Sequence, residues 1–376
     1  MSYALQTLWH EKARYAAGVG AVAFSAVLIV LQVGLLLGLF TLTSIPVDHT
    51  SADIWVGAQD VRSVDLGQGI ATNLHLARLS EKPGLVGQPE VFLANFANMI
   101  RPDGGMERVF VLGSSLDPGA AGALDVLTAD HRAALTMPNG VVVDESDLKR
   151  MNLKGIGDTA KINGVEVTVV GTVRGLRSLA APWVLCSVTT ARKVLANFVH
   201  DDQTSYLLAR ADSPPRAAQI VKELRAEYPD MSVYTADDFS FNCRWYWLTR
   251  TKAGIAIGYA ALLGLLVGAV ITAQTLFSAT MASAKEFATL LALGVPRARI
   301  YGLVMAQSWW VGVFGVLVSV PVVWGLAELA RLGGAPVMLR WEVVVGAAVV
   351  TISTALVSGL FALRSVRRIE PMSLLR

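Results

Sequence analysis

The sequence predicts an α-helical membrane protein with four transmembrane helices and a large mixed α/β extracytoplasmic domain inserted between spans 1 and 2. Three observations lead there. The 376 residues are 53% hydrophobic and only 16% charged, whereas soluble domains carry about 25% charged residues. Four stretches without Asp, Glu, Lys or Arg are long enough to cross a bilayer, which takes roughly 20 residues. The charges also concentrate in one block, with 24 of the 29 acids and 21 of the 32 bases between Pro46 and Lys252. The basic pI of 8.9 therefore belongs to the apolar frame around that block. It is not a nucleic-acid footprint.

Each element follows in order. Residues 1–14 form a cytoplasmic N-terminal segment, and span 1 covers 15–45 within the uncharged run from Tyr15 to Val47. That run exceeds a signal-peptide core of about 7–15 residues and lacks a clear cleavage site, so it reads as an uncleaved anchor. The inserted domain takes 46–250. In it, Val141-Val142-Val143, Gly157-Asp158 and Asn163-Gly164 set short strands between turns. Asn-Gly between alternating apolar runs is a strong hairpin signal, which predicts a small β-barrel-like unit around 138–176. A β-α-β pattern follows. Ser205 to Ala209 is a strand, Pro214-Pro215 opens a helix with a stripe at Ala217, Ile220, Val221, Leu224 and Tyr228, and Ser232 to Thr235 returns. Residues 52–135 read only as mixed α/β. Span 2 occupies 251–282, a cytoplasmic coupling helix and loop 283–300, and span 3 301–327. A short extracytoplasmic loop takes 328–341, span 4 takes 342–363, and the cytoplasmic tail is 364–376.

Basic residues near the span ends set the orientation. Lys12, Arg14, Lys285, Arg297, Arg299, Arg364, Arg367, Arg368 and Arg376 lie on one side, against Arg331 and Arg340 beside Glu328 and Glu342 on the other. Both termini are therefore expected in the cytoplasm.

Catalytic signatures are missing. The chain has no G-x-x-x-x-G-K-[ST], H-E-x-x-H, C-x-x-C or G-x-S-x-G, so no catalytic or metal residue is assigned and no cofactor is expected in this chain. The five histidines are scattered. Ser146-x-x-Lys149 has an acylation spacing, but Asp144-Glu145-Ser146-Asp147 reads as a capped helix start. Asp201-Asp202 reads as a loop and Asp237-Asp238 as a helix N-cap. Cys186 and Cys243 both fall in the exported block, either as a disulfide or as two unpaired thiols.

The spans carry their own signals. Gly34 and Gly38 in span 1, with Gly254, Gly258, Gly264 and Gly268 in span 2, sit at the four-residue spacing that lets helices approach closely. They serve either packing within the chain or a homodimer seam. Gln32, Gln274 and Gln307 need partners in hydrocarbon, either across helices or on a translocated molecule. Ahead of span 2, Phe239, Phe241, Trp245, Tyr246 and Trp247 interleave with Arg244, Arg250 and Lys252. That pattern fits an interfacial helix, read as a plain anchor or as a lateral gate for an amphiphile, with Trp245, Tyr246, Trp247 and Arg250 the lipid-contacting candidates. In the loop after span 2, Lys285, Glu286, Phe287, Leu290 and Leu291 form a short helix that Gly294 and Pro296 end. Its apolar face either docks into a partner groove or lies on the bilayer.

Here the sequence resembles the MacB/LolC/FtsX-type (type VII) ABC transporter permeases, and among them the DevC-like permeases of glycolipid exporters. The resemblance rests on Trp9-His10-Glu11-Lys12-Ala13-Arg14, Ala52-Asp53-Ile54, the Gly157-Asp158 and Asn163-Gly164 region, Tyr246-Trp247, Glu286-Phe287-Ala288-Thr289-Leu290 with Gly294, and Arg367-Arg368-Ile369-Glu370-Pro371. It implies a multi-pass protein of the bacterial inner membrane that forms a homodimer and hydrolyses no ATP itself. Two copies of a separate ABC ATPase, which hold the ATP and Mg, would dock at residues 285–294. A periplasmic membrane-fusion adaptor would meet the inserted domain and lead to an outer-membrane TolC-type channel. Leu291 stands where the family usually has Lys or Arg, which shifts docking toward apolar contact. The implied function is ATP-driven outward movement of an amphiphile, a lipid or glycolipid. The alternative is FtsX-like mechanotransmission to a periplasmic partner without a transported solute.

Overall fold

The computed structural model describes residues 12–176, 181–282, 289, 293–332 and 337–366. It divides into two compact units, one built from the chain up to Gly38 and from Lys252 onward, the other from Leu39–Thr251. Four helices have the length and composition of membrane spans. They are α1 (Lys12–Asp48) and, after the inserted domain, α8 (Lys252–Ala282), α9 (Arg297–Leu332) and α10 (Trp341–Val366).

The first half of the inserted domain comprises β1 (Ile54–Ala58), β2 (Ile70–Ala71), α2 (Thr72–Ser80), β3 (Leu85–Ile100), β4 (Met106–Ser114), α3 (Ala129–Ala134), β5 (Gly140–Asp144) and α4 (Leu148–Met151). The second half adds β6 (Thr159–Ile162), β7 (Val165–Val173), β8 (Trp183–Ser187), α5 (Val188–Val194), β9 (Gln203–Thr204), β10 (Tyr206–Ala211), α6 (Pro214–Glu227), β11 (Met231–Thr235) and α7 (Ala236–Arg250). Nine strands form one sheet in the order β11-β1-β10-β3-β4-β8-β5-β7-β6.

The long strand β3 serves both ends of that sheet. Its first half pairs with β10, and its second half, from Leu93 to Ile100, pairs with β4. The register with β10 shifts between Leu208 and Arg210, opposite Gly87, whose φ of +78° suits a bulge. β3 also meets β6 at Met99↔Ile162 and Ile100↔Lys161, which closes a ring of β3-β4-β8-β5-β7-β6. The barrel-like unit expected at 138–176 is thus larger, since β3, β4 and β8 complete it. The Asn163-Gly164 hairpin turns as its sequence requires: both residues have positive φ, +48° and +87°, the twist-matched type I′ arrangement. The Asn163 side chain accepts from the Asn98 N–H at 3.0 Å and donates to the Val194 carbonyl at 2.9 Å.

Strand alternation sorts the core into layers. Val109 and Val111 join Val141, Val143, Val169 and Val184 in one cluster, while Phe110 and Leu112 face another with Trp55, Phe92 and Tyr206. The β-α-β pattern appears as β10-α6-β11 with β1 paired antiparallel between the two strands. Pro214 and Pro215 open α6, whose Ala217, Ile220, Val221 and Leu224 are buried on the sheet.

In the membrane unit, α8 packs on α10 and α10 on α9. A Cβ added to Gly264 would come within 3.1 Å of Gln32 Cγ, and one on Gly268 within 3.2 Å of Ser25 Cβ. Ser25 Oγ donates to the Gly268 carbonyl at 2.7 Å and bonds Thr272 at 3.0 Å. These two glycines therefore let α1 and α8 of one chain approach closely. Gly34 also works within the chain, accepting from the Met338 N–H at 3.1 Å. Gly38 and Gly254 are buried, and Gly258 is half-buried. Ser25 supplies these interhelical bonds, whereas Gln307 is buried and Gln32 packs its stem on Gly264.

Candidate functional site

The site is assembled at α7 and the segments that pack on it. Thr235 caps this helix, its side chain accepting from the Asp238 N–H. Asp237 and Asp238 lie in the first turn instead of capping it, where carboxylates complement the helix dipole. Phe239 is fully buried, stacked on Tyr234 with centroids 5.2 Å apart and close to Trp55. It belongs to the domain core and not to a headgroup layer.

One turn on, α7 joins the end of α1. Asp48 Oδ2 accepts from Ser44 Oγ at 2.6 Å and from Arg244 Nη2 at 2.8 Å, and its Oδ1 accepts from Ser240 Oγ at 2.6 Å. Arg244 Nε also donates to Ser44 Oγ at 2.9 Å. The segment that brings the chain into the domain and the one that takes it out are thus tied through a single carboxylate. Arg244 is thus held by a carboxylate and a hydroxyl of α1. Its pairing with Asp48 carries no local signal, because the two are 196 residues apart.

The aromatic candidates separate. Trp247 donates its indole N–H to Asp65 at 3.2 Å and is half-buried, so it does not share the exposed face. Trp245 is 53% exposed and stacks with Phe241 at 6.2 Å. Trp245, Tyr246 and Arg250 line one cleft of about 450 Å³. Arg62, Tyr234, Asn242 and Thr249 complete it. Sequence reasoning missed Arg62, which no motif marks.

The cysteines remain two unpaired, buried thiols. Burial pushes each of them up to about 12, so both stay protonated, unreactive thiols at neutral pH. Ser146 and Asp144 form a cap, with Ser146 N–H and Oγ both donating to Asp144 Oδ1. Asp144 Oδ2 meanwhile accepts from Leu176 N–H. Burial raises the Tyr206 hydroxyl well above its ordinary value, and that hydroxyl donates to the Ser63 and Val64 carbonyls. Among the described residues, no group of three His, Cys, Asp or Glu side chains stands close enough to hold a metal ion.

Lys285, Glu286, Phe287, Leu290 and Leu291 lie outside the described residues. Beside them, Leu293 N–H donates to the Thr289 carbonyl at 3.0 Å and Gly294 takes φ +88°, the left-handed geometry that ends a helix.

The family model for the FtsX-like permease C-terminal region matches residues 258–371. That match and the four apolar helices define the class: a multi-pass membrane permease. The model for the MacB-like periplasmic core domain matches residues 19–227, more than half of the chain, and the chain belongs to the MacB/FtsX-type ABC transporter permeases. An uncharacterized ABC transporter permease of Methanocaldococcus jannaschii is 24% identical over 239 residues, covering 59% of this chain and 57% of the relative. The chain thus matches little more than half the length of that relative. The periplasmic region of MacB from Actinobacillus actinomycetemcomitans covers 51% of this chain and 92% of its own, with 12% identity and a TM-score of 0.32. The extracellular domain of the ABC-type transporter YknZ from Gram-positive bacteria covers 48% of this chain and 99% of its own, with 10% identity and a TM-score of 0.34.

Proposed function

We propose that this chain is the membrane subunit of an ATP-driven exporter in the bacterial inner membrane. A separate ATPase docks through residues 285–294, and its cycle drives outward movement of an amphiphile, a lipid or glycolipid, with a periplasmic adaptor on the inserted domain. The observation that supports coupling best is the Asp48 joint, which fastens α7 to the end of α1 so that displacement of one pulls on the other. The cargo class draws support from the spans. The cleft between α1, α9 and α10 is lined by Val30, Val323, Trp324 and Val344 with Ser319, measures only about 30 Å³ and is apolar. So small a space admits no solute, and an amphiphile would instead travel along the lipid-facing side of the spans, where Leu262, Leu263 and Leu266 of α8 are exposed.

The same joint also favours mechanotransmission of the FtsX type, in which the inserted domain activates a partner and no solute moves. Reconstitution with the ATPase in nanodiscs separates the two. Export predicts ATP hydrolysis that rises several-fold with the cargo lipid. Hydrolysis indifferent to every lipid tested, but raised by a soluble periplasmic partner, would replace export by mechanotransmission.

A further inference from the structure

We infer that the α7 cleft is a binding site for the phosphate of an anionic amphiphile. Arg62 and Arg250, from segments far apart in sequence, both line it, and no acidic residue does. Neither arginine has an acidic partner within reach among the described residues, although nearby Arg244 is engaged by Asp48. Two arginines without an acidic partner on one concave surface supply the forked N–H donors by which arginine grips phosphate oxygens. Asn242 and Thr249 add neutral groups suited to hydroxyls.

Three of the seven lining residues are aromatic: Tyr234, Trp245 and Tyr246. Trp245 and Tyr246 line the same cleft, and Trp245 stacks with Phe241 one turn back along α7. A cleft of about 450 Å³ has the size of a small-ligand site, enough for a phosphate with its glycerol but not for acyl chains. The chain enters the span helix α8 at Lys252, directly after Arg250 and Thr251. Charged heads with aromatic rings at such a position suit a headgroup. The recognised chemistry is a phosphate anion. A lipid headgroup and a soluble phosphate ester share it, and the aromatic lining favours the lipid.

This inference rests on the reading of the cargo as an amphiphile, yet it is tested on the full chain without any ATPase, so failed export leaves the binding result standing. Native mass spectrometry of the purified chain, titrated with phosphatidylglycerol, phosphatidylcholine or inorganic phosphate, reads it directly. Phosphatidylglycerol should bind in preference to phosphatidylcholine. Arg62→Gln and Arg250→Gln should each weaken it roughly tenfold, the worth of one charged hydrogen-bonding group, with Lys at either position restoring part. Arg174→Gln, on an exposed arginine paired with Glu145, should change nothing. Tight binding of inorganic phosphate that displaces the lipid would keep phosphate recognition and assign it to a soluble ester. Equal binding of the two lipids by the wild-type chain would overturn the inference. So would undiminished phosphatidylglycerol binding by a double Gln variant with an unchanged thermal midpoint.

Discussion

Asp48 holds three side chains at hydrogen-bond distance with one carboxylate. Both it and Arg244 remain about a third exposed, so solvent screening limits the ion pair itself. The hydrogen bonds carry the remainder. Asp48→Ala should lower the stability of the full chain by about 1–3 kcal/mol, read as a drop in thermal midpoint in detergent. In the reconstituted complex it should also disconnect hydrolysis from lipid; an Asp48→Ala complex with unaltered lipid stimulation would remove the joint from the mechanism. A second residue sets a pH response. Burial, assisted by Arg78, holds His75 below its ordinary value, while Asp230 opposes this. The native state therefore favours neutral imidazole, and below about pH 6.5 the unfolded chain takes up a proton that the folded chain resists. Stability should fall as pH drops from 7 toward 5. The lowered Asp230 carboxyl acts in a separate window, near and below its ordinary 3.8. Thermal midpoints of His75→Leu at pH 7 and pH 5 should differ less than those of the native chain.

At the level of elements, local patterns located what local physics determines. The uncharged runs became α1, α8, α9 and α10, Asn163-Gly164 became a type I′ turn, and the Pro-Pro start with its apolar stripe became α6. Ring closure was not legible, because Met99↔Ile162 joins strands far apart in the chain and no local periodicity encodes such a contact. Phe239 illustrates a second limit. An aromatic run before a span looks alike whether its rings meet headgroups or a core, and only the positions of Trp55 and Tyr234 decide. The small-residue spacing in α8 was legible as close packing. The helix that Gly264 and Gly268 approach, α1 of the same chain, was not. Gly268→Leu would drive its side chain into Ser25 and separate α1 from α8. The expected result is a clear loss of thermal stability, on the order of 1–3 kcal/mol for overpacking. Gly302→Leu, with nothing within 4 Å of its Cβ position, should be near neutral. Equal effects at the two positions would contradict the α1–α8 packing.

The whole molecule combines four apolar span helices with a large domain inserted after the first of them, and the proposed ATPase-docking segment at residues 285–294 lies between the second and third. The family fixes the class of machine. Little of the apolar stretch of α8 is buried within the chain, leaving Tyr259, Leu262, Leu263 and Leu266 exposed to lipid or to a second copy. In the proposed mechanism a separate ATPase drives this chain through residues 285–294. The most direct measurement is affinity purification of the native chain and of Glu286→Lys from their own membrane, with mass spectrometry of the proteins that accompany each. An ABC ATPase should accompany the native chain and be lost, at equal recovery of folded permease, from the variant. A native chain that brings no ATPase, or a variant that retains it in full, would contradict ATPase docking at residues 285–294.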